Sequence, residues 1–230
     1  MTLPRFANFD TYRARMTTKS NIVGPGEREG PLTLHDGGMA EAIYVGGLLV
    51  ATPLLDDPNF RRSVVLILEH DLDGGTLGVV LNRPSEISVT QVLPVWDPLV
   101  TGPPVLFEGG PVQTDSALAL AAVPSGEEPL GWRRLHAGTP AVSRLGTVDL
   151  DAPPEILQGE IAQMRIFAGY AGWTSGQLAS EIAEGAWYVV DSEAGDTFHT
   201  DPGSLWRHVL RRQPGELAFV ATCPDDPTMN

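Results

Sequence analysis

Residues 48–82 read LLVATPLLDDPNFRRSVVLILEHDLDGGTLGVVLN. Val64–Leu68 is an unbroken apolar run, and Leu77–Leu81 is a second one interrupted only by Gly78. Runs this short, bounded by turn residues, are strands covered on both faces rather than one stripe of an amphipathic helix. Asp71-Leu72-Asp73-Gly74-Gly75 between them is a turn, so Ser63–His70 and Leu77–Asn82 form an antiparallel hairpin. The pairing brings Glu69 and His70 beside Thr76 and Leu77, and Asn82 and Arg83 beside Arg62 and Ser63. Gly46–Thr52 is a third buried strand, closed by Pro53.

Outward from this hairpin the pattern stays that of short elements. Prolines 84, 94, 98, 103 and 104 break the next stretch into loops, with room for a short helix near 89–93 and a strand at 105–107. Glu108-Gly109-Gly110-Pro111-Val112 is a turn before a strand at 117–123, and residues 124–140 are a surface excursion. Residues 164–170 (MRIFAGY) are a strand running into Ala171-Gly172-Trp173. A helix is expected over 175–184, with Thr174 and Gln177 spaced as a capping box and Leu178 and Ile182 on its apolar face. Residues 187–190 are a strand and 205–212 a terminal helix. No repeat or linker divides them, so residues 41–230 are expected to be one domain. Residues 1–40, rich in Gly, Pro and charge over 21–38, are expected to be a mobile leader, dispensable for folding. Leu3, Phe6, Phe9, Tyr12 and Met16 recur at helical spacing, but an isolated helix of that length is marginal in water.

With 230 residues, 42% of them hydrophobic and 19% charged, the chain is long enough to bury a sizeable core. Its 25 Gly and 20 Pro exclude long helical bundles and coiled coils. The net charge of −14 removes bulk attraction to nucleic-acid phosphates. A single cysteine, Cys223, excludes an intrachain disulfide and fits a reducing cytoplasm, and no apolar run is long enough to span a membrane.

Standard catalytic signatures are missing: there is no P-loop, no GxGxxG, no GxSxG and no HExxH. The five histidines are scattered without ligand spacing, so no metal or cofactor is expected.

Four blocks occur in order: LLVATPLLDDPNFRRSVVLILEH, GVVLNRP, EGGPV and GYAGWTSGQLASEIAEGAW. Together they resemble the bacterial YqgE/AlgH family across most of residues 46–190. The resemblance implies an α+β fold in which a mixed, bifurcated β-sheet curls into a partial barrel with flanking helices. Members have been labelled transcriptional regulators from genetic association, without a DNA-binding motif, and direct DNA binding is not expected. Relatives often carry a histidine on the strand after the GGP turn, where Ala121 stands here.

Two function classes follow. In the first, a regulatory or adaptor protein binds a small anionic ligand or a protein partner. Arg61, Arg62, Ser63, Asn82 and Arg83 would form a basic, hydrogen-bonding rim with Asp57 beside it. Gly109 and Gly110 would offer backbone N–H groups as an anion nest, although a tight turn needed for close packing is the favoured account of them. Tyr170, Trp173 and Trp187 would wall an apolar pocket with Gln177 offering polar contacts, unless those rings are simply core. In the alternative, an enzyme of unknown reaction draws its acid–base groups from Asp57, Glu69, His70 and the arginines.

Overall fold

The computed structural model describes residues 43–124, 127–137 and 139–224, together with the backbone of Arg5–Phe6. Its strands are β1 (Arg5–Phe6), β2 (Leu48–Ala51), β3 (Val64–Asp71), β4 (Gly75–Val80), β5 (Pro84–Ser88) and β6 (Val105–Glu108). They continue as β7 (Val112–Ala122), β8 (Trp132–Arg134), β9 (Leu145–Val148), β10 (Gln163–Trp173) and β11 (Trp187–Val190). The α-helices are α1 (Val89–Val92), α2 (Gln177–Ala183), α3 (Leu205–Arg211) and α4 (Leu217–Val220).

The strands hydrogen-bond in the order β11-β2-β3-β4-β10-β7-β9-β8. β10 is the spine. Its first half pairs antiparallel with β7 on one edge and parallel with β6 on the other, and β4 takes over that second edge at Ala171–Trp173. The sheet therefore forks at β10, as the family resemblance implies. The fork needs backbones closer than side chains allow. A Cβ on Gly109 would lie 2.3 Å from the Gly169 carbonyl oxygen, and one on Gly110 2.3 Å from the Tyr170 carbonyl carbon. Gly109 bridges the two limbs, donating its N–H to Ala168 and accepting the N–H of Val80.

The quoted hairpin forms with Val65 opposite Val80, His70 opposite Thr76, and a bulge between Ile67 and Glu69. Both faces are covered, which is why its runs are unbroken. Val64, Leu66 and Leu68 join the interior cluster with α3 residues Leu205, Trp206, Val209 and Leu210, while Val65 and Ile67 pack outward with Trp173, Trp187 and Leu178 of α2. A third cluster lies under the other limb, around Met164, Ile166, Ala119 and Trp96.

The sequence reading differs in three places. β5 and β8 lie in stretches read as loop and β9 in one left without an element, because each is only three to five residues long. β5 begins at Pro84 and pairs on one side with β6, the edge position that a proline tolerates. Helix α2 is shorter than expected, beginning after Gly176, whose left-handed φ of 75° makes it the N-cap. Thr174 and Gln177 do interact, Gln177 Oε1 accepting the Thr174 N–H at 3.1 Å, but one turn ahead of the helix. Of the leader, Arg5–Phe6 pair in parallel with Ser116–Ala117 of β7, and its other residues lie outside those described.

Candidate functional site

The connection between β2 and β3 is a chain of tight turns. The Asp57 carbonyl accepts the N–H groups of Phe60 and Arg61, and its carboxylate accepts that of Asn59 at 2.7 Å. Arg62 adopts a left-handed φ of 55°, which turns its side chain away from Arg83 and over the Trp206 ring at 4.4 Å. There it donates to the carbonyls of Cys223, at 3.0 Å, and Pro224. Asn82 is a clamp: its amide donates to the Arg62 carbonyl and its oxygen accepts the Val64 N–H, both at 2.9 Å. Ser63 is fully buried, and its hydroxyl has no hydrogen-bond partner among the described residues. Arg83 donates to the carbonyls of Pro58 at 2.7 Å and Arg61 at 3.1 Å. Burial lowers the pKa of its guanidinium, against the opposing pull of Glu108 and Asp57. Arg62 and Arg83 thus flank Asn82 but face different parts of the molecule.

Arg83 instead meets the Gly-Gly-Pro turn. Asn59, Arg83, Ser85, Glu108, Gly110 and Thr114 line a recess of about 270 Å³, with Ile87 and Leu106 as apolar wall. Three segments distant in sequence converge there because the fork brings the turn before β7 against the start of β5. Gly109 and Gly110 contribute close backbone packing, the reading that competed with an anion nest.

The aromatic group divides. Tyr170 belongs to the interior cluster, whereas Trp173 meets Trp187 edge-on at 5.9 Å with Phe60 against both. Both indole N–H groups donate to one oxygen of Glu181 at 2.9 Å, and Gln177 donates to the other at 3.0 Å. Gln177 is thereby tied to Thr174 and Glu181. Glu181 is not among the site residues expected from the sequence. The signal was its position one helical turn after Gln177, but the two tryptophans arrive from other strands. Glu181→Ala should orphan two buried donors and cost about 2–3 kcal/mol. Denaturant unfolding would register that loss together with a red shift of the native tryptophan emission; an unchanged midpoint and spectrum would refute it.

The acid–base set of the alternative reading is separated. Asp57 lies before β3, and Glu69 and His70 near its far end; at about 3.3 Å per residue, Ser63 to His70 spans roughly 23 Å. His70 Nδ1 lies 2.8 Å from Thr76 Oγ1. No group of three or more His, Cys, Asp or Glu side chains suited to a metal occurs among the described residues. No helix among them is long and apolar enough to cross a membrane.

Residues 48–218 match a protein family described as AlgH-like. A UPF0301 protein of Thermobifida fusca is 57% identical over 187 residues, covering 80% of this chain and 94% of its own. One from Streptomyces coelicolor is 56% identical over 198 residues, covering 84% and 99%. Among solved structures, a Corynebacterium diphtheriae protein superposes with a TM-score of 0.72 at 37% identity, covering 80% of this chain and 95% of its own. The solution structure of the AlgH protein from Pseudomonas aeruginosa gives 0.58 at 26% identity, covering 81% and 97%.

Proposed function

As the chain belongs to the AlgH-like family, we propose that it is a non-enzymatic regulatory or adaptor protein that captures a small anionic group at the Arg83 recess. The observation that carries this reading is the convergence of Asn59, Arg83 and the Gly110–Thr114 turn on one recess of about 270 Å³. That volume suits a carboxylate or phosphate headgroup rather than a whole cofactor. Arg83 supplies a planar, permanently charged donor, held by two backbone carbonyls and partly withdrawn from water, where its attraction for an anion is stronger than on an open surface. Glu108 on the same lip restricts entry to groups that approach from the Asn59 and Thr114 side.

DNA is not part of this reading. Of the terminal-helix arginines, Arg207 donates to the carbonyls of Ala221 and Cys223, and Arg212 pairs with Asp196, so neither is presented to a groove. The enzyme alternative is not favoured, because its acid–base groups lie at opposite ends of β3.

The test is calorimetric titration at physiological salt with inorganic phosphate, with acetate, and with a short Asp/Glu-rich peptide. Thr114→Glu, an exposed change on the recess lip, should weaken anion binding by about tenfold without altering stability. Tighter binding of the peptide than of the free anions would identify a protein partner as the source of the group, and the reverse a metabolite. Absence of anion binding, or equal binding by the variant, would overturn the proposal.

A further inference from the structure

The histidines are scattered in sequence, but folding brings two of them into contact. His199 lies in the segment between β11 and α3, and His208 stands on α3; their ring centres are 4.8 Å apart, with the planes tilted by 50°. Both backbones are fixed. Arg165 donates to the Thr197 and His199 carbonyls at 2.8 and 3.1 Å, and Arg212, directly after α3, grips Asp196 with two nitrogens at 2.6 Å. Leu205, Trp206, Val209 and Leu210 bury one side of α3 and leave His208 exposed on the other. The two rings are thus placed by contacts that neither ring itself makes.

The His199 ring is also oriented. Its Nδ1 lies 2.9 Å from the Asp201 carbonyl oxygen, closer than the 3.3 Å to the Asp201 nitrogen, so Nδ1 is assigned the proton and donates it. The lone pair then sits on Nε2. An Nδ1–H tied to a backbone carbonyl is the arrangement in which an imidazole binds a metal through its other nitrogen. The His208 ring makes no hydrogen bond among the described residues, so its lone pair is available as well. With metal–nitrogen bonds of about 2.0–2.1 Å, two imidazoles on one tetrahedral ion hold their ring centres roughly 5 Å apart, which the 4.8 Å separation matches. The nearby cations are engaged elsewhere: Arg207 donates to the carbonyls of Ala221 and Cys223, and Arg165 and Arg212 are held as described. Arg211 and Asp201 are of opposite sign and both exposed to water, where their fields are screened.

We infer that His199 and His208 bind a borderline divalent transition ion of the Zn²⁺ type, which pins the 191–201 segment to α3. Two protein ligands leave the remaining coordination positions to water, so the ion is exchangeable rather than structural. Hard cations are not retained, because Mg²⁺ and Ca²⁺ demand oxygen ligands. The pair shares no residue with the Arg83 recess.

The probe is Zn²⁺ alone, titrated into the full chain by calorimetry with Mg²⁺ as the control, and followed by amide and imidazole chemical shifts. One Zn²⁺ should bind per chain at the pair and perturb residues 199–208 first, and Mg²⁺ should not. His208→Ala, an exposed change to a strong helix former, should weaken that binding at least about tenfold, and His199→Gln should do the same. Zn²⁺ binding unchanged in His208→Ala, first perturbations centred on another histidine, an equal response to Mg²⁺, or no saturable binding at millimolar Zn²⁺ would overturn the inference.

Discussion

Arg165→Ala is expected to destabilise the protein by about 3–5 kcal/mol. Arg165 stands near the start of β10 and is fully buried, yet it meets backbone carbonyls rather than an acid. It donates to Thr197 at 2.8 Å and His199 at 3.1 Å, and its guanidinium lies over Phe107 at 4.1 Å. Its Nε is buried without a partner among the described residues. Burial lowers its pKa from the ordinary arginine value to about 10. The sign follows from that direction: the native state disfavours the charge, and this cost is fully present below about pH 10. Between there and the higher, ordinary arginine pKa the unfolded chain binds more protons, so this group's contribution to stability improves as pH rises. What the cation holds is the segment between β11 and α3. Truncation leaves a cavity and orphans two carbonyls, whereas Arg165→Met keeps most of the volume and sheds the desolvation cost, so it should lose only about 1–2 kcal/mol. Urea unfolding measures both; a loss below about 1 kcal/mol for the alanine variant would show that the guanidinium does not fasten this segment.

Asp196→Ala should cost a similar amount, about 3–4 kcal/mol, or roughly 6–16 °C in melting temperature for a domain of this size. Both Asp196 oxygens accept from Arg212 at 2.6 Å, and one also accepts the Glu193 N–H at 2.6 Å. The carboxylate side chain is 3% exposed and the arginine 16%. Desolvation pulls the Arg212 pKa down, but the Asp196 hydrogen bonds and nearby acids outweigh it and raise the value overall. Removing the acid leaves Arg212 with Glu193 at 3.5 Å and the Asp191 carbonyl. Because the pair is shielded from solvent, the loss should persist in high salt; a loss that vanishes there would mark it as a surface pair. Calorimetry across salt concentration checks this.

The two variants act on one region, the 191–201 segment that seats α3 in the half-barrel, and their legibility differs. An arginine inside MRIFAGY is a visible anomaly, since a charge in a run buried on both faces must find partners. Those partners, the carbonyls of Thr197 and His199, carry no sequence signature. The β3–β4 hairpin was readable because five consecutive apolar residues and an Asp-Gly-Gly turn admit few alternatives. β9 was not, because LGTV is too short to establish a period and its burial comes from β7 and β8. The fork was hidden for a related reason: Gly109, Gly110 and Gly169 announce freedom of the backbone but not which backbones approach.

The rim around Arg62 and Arg83 was legible as proximity and not as direction. Hairpin register brings both beside Asn82, but the left-handed turn at Arg62 sends its side chain to Trp206 and the carbonyls beyond α4. Arg83 meets the Gly-Gly-Pro turn, which sequence order separates from it by more than twenty residues. The same limit applied to Glu69 and His70, whose pairing with Leu77 and Thr76 was readable while the cleft of about 950 Å³ that they border with Arg133 and Leu135 was not. That cleft depends on the far limb of the sheet curling back.

Anion capture at the Arg83 recess is tested most directly by amide chemical-shift mapping of the intact chain during titration with inorganic phosphate. Saturable perturbations should appear at Asn59, Arg83, Ser85, Gly110 and Thr114, and Thr114→Glu should suppress them together. Perturbations confined to residues 69–77 and 133–136, or shifts that stay linear and scattered over the surface, would contradict it.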